Sequence, residues 1–172
     1  MVDWLLEMRR FPDDALLTHK ADRGELDERL LMRLADRISA FHSTAEADPT
    51  QAGAASFRRV VEGNIASMAA YPSILDPDQA KHLGDSLLQI ADGMAPLLDA
   101  RAREGRVRHG HGDLHLANIA LIDGEPTLFD CLEFSVELAT IDVLYDLAFL
   151  LMDLWHRDLR TEANIVFNRY LD

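Results

Sequence analysis

The sequence predicts an α+β fold in which helices predominate, over a single domain of residues 1–172. Apolar residues recur at helical spacing through most of residues 26–104, and helical spacing returns from residue 141. Between them, apolar runs of strand length surround an Asp-Gly pair. Helices, a small β-region and further helices are typical of α+β domains. With 48% hydrophobic residues, a chain of 172 residues can bury one core.

The first element is a short apolar run at residues 2–8, which ends at a proline turn. We interpret this run as a strand. Because no hairpin partner follows it, its partner must be distant in the sequence or outside it. The first helix is predicted over residues 26–41, where Leu30, Leu34 and Ile38 recur every four residues and Asp27 is placed to cap the N-terminus.

Two further helices are predicted before residue 106. One covers Phe57 to Met68, and the next begins with Asp76 as N-cap, Pro77 in the first helical position and Gln79 three residues after the cap. It runs to Gly105. Five large apolar residues share one face of this third helix, and we expect that face to lie in the core: Leu83, Leu87, Ile90, Met94 and Leu97.

Past Gly105 the pattern changes to short strands, with Asp123-Gly124 as a hairpin turn. The strands are Val107–His109, Ile119–Ile122 and Thr127–Phe129, and helices follow over Ile141–Trp155 and from Thr161 onward. The predicted segments are therefore residues 1–11, a strand and turn; 12–106, a helical subdomain; 107–130, a loop and hairpin; and 131–172, C-terminal helices.

Charge argues against some classes of partner, and cysteine content indicates the kind of compartment. Lys and Arg number 17 against 30 Asp and Glu, and the formal net charge of −13 argues against nucleic acid or an anionic membrane as partner. The single cysteine, Cys131, cannot form an internal disulfide, which favours a reducing compartment. No apolar run has the length of a membrane span or a secretory signal, so we expect a cytoplasmic protein.

The chemistry-bearing residues concentrate at the predicted hairpin. The segment His-Gly-His-Gly-Asp-Leu-His-Leu-Ala-Asn occupies residues 109–118, and Asp130 follows at the end of an apolar strand. Asp113, Asn118 and Asp130 offer hard oxygen atoms, the ligands that Mg²⁺ prefers. A carboxylate that faces a hydroxyl can also act as a general base. This combination indicates a phosphoryl-transfer or metal site.

On these residues the chain resembles the aminoglycoside phosphotransferase family of the protein-kinase-like superfamily. The family's catalytic loop reads His-Gly-Asp-x-x-x-x-Asn, and its metal-binding Asp ends the next hairpin; here these are His111-Gly112-Asp113, Asn118 and Asp130. The resemblance implies a protein-kinase-like C-terminal lobe that transfers the γ-phosphoryl group of ATP to a hydroxyl of a small molecule. It implies that Asp113 is the catalytic base, and that Asn118 and Asp130 bind Mg²⁺ and with it the ATP cofactor.

The resemblance also suggests residues that support the loop. His111 is expected to hold the loop backbone, and Asp146 is expected to brace it. The alternative for Asp146 is a carboxylate favoured by the dipole of a helix N-terminus. The roles of four further residues stay open: His109, His115, Glu133 and Asp142.

Parts of a complete kinase-type site are absent from the sequence. The two lysines, Lys20 and Lys81, do not follow a strand in the way that a nucleotide-binding lysine does, and no glycine-rich phosphate loop is present. Trp4–Phe11 resembles the hinge strand that enters the C-terminal lobe. We therefore expect the N-terminal lobe to be missing, and the chain alone to have little or no activity.

Two other functions compete with this hypothesis. A metal-dependent hydrolase could use His109, His111, Asp113 and His115 as ligands, although Leu114 breaks the usual zinc-binding spacing. A pseudokinase-like lobe could instead bind a partner or ligand without transferring phosphate. The missing lysine and phosphate loop favour it, whereas the presence of Asp113, Asn118 and Asp130 counts against it.

Overall fold

The computed structural model describes residues 11–48, 50 and 52–172, so the strand predicted at residues 2–8 lies outside the described residues. The fold is mainly helical with small antiparallel sheets, as an α+β fold predicts. None of the described helices combines the length and apolar character needed to cross a bilayer. The elements are α1 Leu17–Asp22, α2 Glu28–Thr44, α3 Gly53–Ala69, α4 Pro77–Arg103, β1 Val107–His109, β2 Ile119–Ile122, β3 Glu125–Leu128, α5 Val136–Ala139, β4 Thr140–Asp142, α6 Val143–His156 and α7 Arg160–Leu171, with 3-10 turns at Asp13–Ala15 and Leu116–Asn118.

Contacts divide the chain into two compact units, each built from separate stretches of sequence. The hairpin unit contains the described residues up to 39 together with 114–130 and 150–172. The α3–α4 unit contains the described residues of 40–113 together with 131–149. That residues 1–172 form a single domain stays a prediction.

The hairpin unit is organised around β2, β3 and the buried face of α2. Asp27 caps α2 as predicted, because its Oδ1 accepts the Leu30 N–H at 2.7 Å. The two strands pair antiparallel from Ile119 opposite Leu128 to Ile122 opposite Glu125. The turn residues Asp123 and Gly124 have φ of 51° and 83°, which is why Asp-Gly suits this turn. The core of this unit includes Leu17, Leu31, Leu34, Ile38, Leu114, Leu116, Ile119, Leu150, Leu154 and Val166.

Helix α4 of the other unit buries a different face from the one that the sequence predicted. Its N-cap is as predicted, with the Gln79 N–H donating to Asp76 Oδ1 at 2.9 Å. The predicted stripe is largely exposed, however: Leu83, Ile90 and Leu97 are each half or more exposed. The residues that α4 buries are Gly84, Ala91, Leu98 and Ala102.

Close approach of α3 to α4 explains this correction. A Cβ on Gly53 of α3 would collide with the Leu98 backbone and lie 2.9 Å from Ala102 Cβ. A Cβ on Gly84 would lie 3.1 Å from Ile65 of α3. The two helices therefore meet through small residues, and the large apolar stripe lies on another face.

The segment before α6 also differs from the prediction, because it contains a strand. The sequence predicted a helix from Ile141 within a purely helical C-terminal segment, whereas residues 136–139 form α5 and residues 140–142 form β4. Strand β4 pairs antiparallel with β1, Val107 lying opposite Asp142. The β-branched pair Thr140-Ile141 suits a strand. Asp142 then caps the N-terminus of α6, since its Oδ1 accepts the Leu144 N–H at 2.8 Å.

Candidate active site

The loop that follows β1 carries the predicted base. His111 is almost fully buried, with 1% of its surface exposed. Gly112 has a φ of 78°, and Asp113 after it is half-buried. All three belong to the α3–α4 unit. The left-handed backbone at Gly112 turns the chain directly before the candidate base.

Asp146 on α6 binds the backbone of this loop. Its Oδ2 accepts the His111 N–H at 2.7 Å, and its Oδ1 accepts the Gly112 N–H at 2.9 Å. The carboxylate is buried, with 1% of the residue exposed. A buried carboxylate is costly unless its oxygens receive hydrogen bonds, and the loop amides provide them. The geometry therefore gives Asp146 the contacts of a brace.

The hydrogen bonds to Asp146 keep it ionised. Burial by itself raises the pKa of this carboxyl, but the hydrogen bond from His42 and those from the His111 and Gly112 amides together outweigh burial. The pKa of Asp146 is therefore lowered from its ordinary value.

His42 is a member of this cluster that the sequence reasoning missed. Its Nε2 lies 3.0 Å from Asp146 Oδ2, and the residue is 3% exposed. His42 follows Ile38 by four residues and so continues the buried stripe of α2. A polar residue at the end of an apolar stripe was the available signal.

Both glycines beside His111 are explained by local geometry. A Cβ on Gly110 would lie 2.7 Å from Asp146 Oδ2, so only glycine leaves room for the carboxylate. A Cβ on Gly112 would lie 2.8 Å from Leu132 Cβ, and its positive φ disfavours other residues. Gly110 thus leaves room for the Asp146 carboxylate, and Gly112 leaves room for Leu132.

The two predicted metal ligands lie at one end of the β2–β3 hairpin. Asn118 directly precedes β2, and its carbonyl accepts the Phe129 N–H at 3.1 Å. Asp130 follows Phe129, is exposed and has a φ of 57°. Strained non-glycine backbone of this kind occurs often at functional sites. One carboxamide oxygen and one carboxylate oxygen form a donor set that suits Mg²⁺, which usually takes one or two protein ligands.

The other candidate residues have separate surroundings. The Asp142 carboxylate accepts two hydrogen bonds from the Arg101 guanidinium, at 2.6 and 2.8 Å. It also caps the N-terminus of α6, so its contacts are structural. His115 Nε2 lies 3.4 Å from Asn118 Nδ2. His109 and Glu133 are exposed.

The structure does not group the ligands of the alternative metallohydrolase. Among the residues that it describes, no cluster of three or more His, Cys, Asp or Glu side chains could hold a metal ion. His109, His111, Asp113 and His115 are all described, and they form no such group.

Comparisons with known proteins give a family and uncharacterized relatives. A family model described as "Phosphotransferase enzyme family" matches residues 6–172. Uncharacterized proteins Rv2004c and MT2060 of Mycobacterium tuberculosis and Mb2027c of Mycobacterium bovis are each 32% identical over 151 residues. The match covers 86% of this chain but 30% of each relative, so the chain spans less than a third of their length. No solved structure matches significantly.

Proposed function

We propose that this chain, which belongs to the phosphotransferase enzyme family, supplies the catalytic loop of an ATP-dependent phosphotransferase with a protein-kinase-like C-terminal lobe. The acceptor is a hydroxyl group of a small molecule. One observation carries the proposal: the buried Asp146 carboxylate binds the amides of His111 and Gly112, directly before Asp113. A loop fixed in this way holds a general base in position, as phosphoryl transfer requires.

In the proposed reaction Asp113 accepts the proton of the acceptor hydroxyl. The acceptor oxygen forms a bond to the γ-phosphorus of ATP, and the bond from that phosphorus to the bridging oxygen of ADP breaks. Little covalent work falls to the protein in such a transfer, so its contribution is positioning and neutralisation of charge. His111 supports the loop as a buried residue next to the Asp146 contacts.

Asn118 and Asp130 would hold Mg²⁺, which neutralises phosphate charge when bound. The pairing of Ile119 with Leu128 sets both residues at the same end of the hairpin. Their oxygen atoms have the hardness that Mg²⁺ requires.

A second lobe that contacts the nucleotide belongs to the proposal. Neither lysine follows a described strand: Lys20 lies in α1 and Lys81 in α4. The relatives are more than three times as long as the matched segment, which leaves room for such a lobe in proteins of this kind. We expect the 172-residue chain alone to hydrolyse or transfer little ATP phosphate.

The test is a phosphotransfer assay on a longer protein that contains this segment after a strand-rich lobe. Wild type and Asp113→Asn are incubated with ATP, Mg²⁺ and a panel of aminoglycosides, sugars and amino alcohols, and ADP release is measured. General-base catalysis contributes about 10²- to 10⁴-fold, so Asp113→Asn should lower kcat by about that factor.

Asp123→Asn is the matched control, because Asp123 lies at the opposite, turn end of the hairpin and Asn tolerates its positive φ. This variant should keep wild-type kcat. Transfer to no acceptor in the panel, or full activity of Asp113→Asn, would contradict the proposed function. Robust turnover by the 172-residue chain alone would contradict the need for a second lobe.

A further inference from the structure

A second carboxylate of α6, Asp153, contacts the segment that leads to Asn118. Asp153 Oδ2 accepts the Leu116 N–H at 2.9 Å. Leu116 is the first residue of the 3-10 turn Leu116–Asn118 and is fully buried. Amides at the start of a helical turn lack partners within the turn, and Asp153 satisfies this one from α6. All of these residues belong to the hairpin unit.

Arg157 orients the Asp153 carboxylate. Its Nε donates to Asp153 Oδ1 at 2.9 Å, which directs the other oxygen, Oδ2, to the Leu116 amide. The same guanidinium donates to Asp22 Oδ1 at 2.9 Å and to Thr18 Oγ1 at 2.7 Å, both on α1. A planar guanidinium with several fixed donors restricts its partners more than an ammonium group would. Through Arg157, Asp153 on α6 is therefore linked to α1.

The turn that Asp153 holds ends at Asn118 and so fixes the position of the Asn118 backbone. The Asn118 N–H donates to the His115 carbonyl at 2.9 Å, and its own carbonyl accepts the Phe129 N–H at 3.1 Å. With 7% of its surface exposed, Asn118 has little space in which to move. A shift of the turn at Leu116 would therefore displace the Asn118 side chain.

We propose that Asp153, oriented by Arg157, is a positioning residue that fixes Asn118 as a Mg²⁺ ligand; this inference rests on the proposed function. Partners behind a metal ligand commonly set its affinity, and their loss weakens metal binding by about 10- to 100-fold. Asp153 touches neither the metal nor a substrate in this scheme. It acts through the backbone of the turn.

The test uses the 172-residue chain and two readouts that need no catalysis. Amide hydrogen exchange at Leu116 reports the turn. Mn²⁺ titrated without nucleotide, so that no second lobe is needed, reports the metal site through NMR line broadening at Asn118 and Asp130. The variants are Asp153→Ala and Arg157→Lys. Asp36→Asn is the matched control, since Asp36 also pairs with an arginine, Arg169 at 2.8 Å, in the same unit.

Both variants should speed exchange at Leu116 and weaken Mn²⁺ affinity by about tenfold, whereas Asp36→Asn should change neither. If Asp153→Ala does not fold, Arg157→Lys decides, because it keeps the positive charge. Unchanged exchange, or faster exchange with unchanged Mn²⁺ affinity, would overturn the positioning role. If wild type shows no Mn²⁺ broadening at Asn118 or Asp130, the metal assignment of the proposed function fails, and this inference with it.

Discussion

At the scale of single residues, Asp146 combines burial with three hydrogen-bond donors: His42 Nε2 and the amides of His111 and Gly112. Removing one member of a buried charged cluster costs about 3 kcal/mol. We therefore expect Asp146→Asn to lower the free energy of unfolding by about that amount at pH 7. Urea unfolding followed by circular dichroism measures the loss.

The loss should depend on pH in a defined direction. The folded-state pKa of Asp146 is lowered, whereas an unfolded Asp titrates at about 3.9. The stabilisation is therefore complete above the unfolded pKa and disappears as pH falls through the folded pKa. Asp123→Asn, at an exposed turn position, should show no such pH-dependent loss. A gap between wild type and Asp146→Asn that stays constant from pH 7 to pH 3 would contradict the ionised brace.

Gly110 allows a second residue-scale prediction. In Gly110→Ala the new Cβ would meet Asp146 Oδ2 at 2.7 Å, so the carboxylate must move away from the loop amides. We expect the phosphotransfer proposed for the longer protein to fall more than tenfold, about 1.4 kcal/mol in activation free energy. We also expect the melting temperature to fall. Gly63→Ala is the control, because nothing lies within 4 Å of its added Cβ and Ala is the better helix former. A Gly110→Ala protein with wild-type melting and kcat would refute the close-packing explanation.

At the scale of elements, the sequence predicts where helices begin better than which face they bury. Asp27 and Asp76 could be identified as N-caps because capping depends on neighbours within one turn. The buried face of α4 could not, because it depends on how closely α3 approaches, through Gly53 and Gly84. Strand β4 was missed for a similar reason: its pairing with β1 is a contact distant in sequence.

Adjacent leucines on α4 provide a matched test of that face. Leu98 is 7% exposed, whereas its neighbour Leu97, on the stripe predicted from sequence, is 55% exposed. Leu98→Ala should lower the free energy of unfolding by about 2 to 5 kcal/mol, through lost burial and a cavity. Leu97→Ala should cost less than about 1 kcal/mol. Denaturant midpoints of the two variants measure the difference. A larger loss in Leu97→Ala than in Leu98→Ala would mean that the face predicted from the sequence is the buried one.

At the scale of the whole molecule, the two units are assembled from interleaved stretches of chain. Asp113, Asn118 and Asp130 could be proposed from the sequence because the catalytic-loop pattern of the family that the chain resembles recurs here within one loop and one hairpin. His42 and Asp153 could not, because their partners Asp146 and Leu116 are 104 and 37 residues away. The family resemblance therefore pointed to Asp146 as well as to the residues proposed for chemistry, whereas His42 and Asp153, whose contacts are distant in sequence, were missed.

Net charge leads to a prediction for the chain as a whole. At −13 the folded chain repels itself at neutral pH, and its exposed ion pairs, such as Lys81 with Asp85, compensate little. Raising NaCl from about 10 mM to 200 mM shortens the Debye length from about 30 Å to below 10 Å. The melting temperature at pH 7.5 should therefore rise with salt. Near pH 5, close to the sequence pI of 4.8, the same increase in NaCl should leave the melting temperature almost unchanged.

A melting temperature that falls with salt at pH 7.5 would mean that attractive pairs such as Arg101 with Asp142 outweigh the net repulsion.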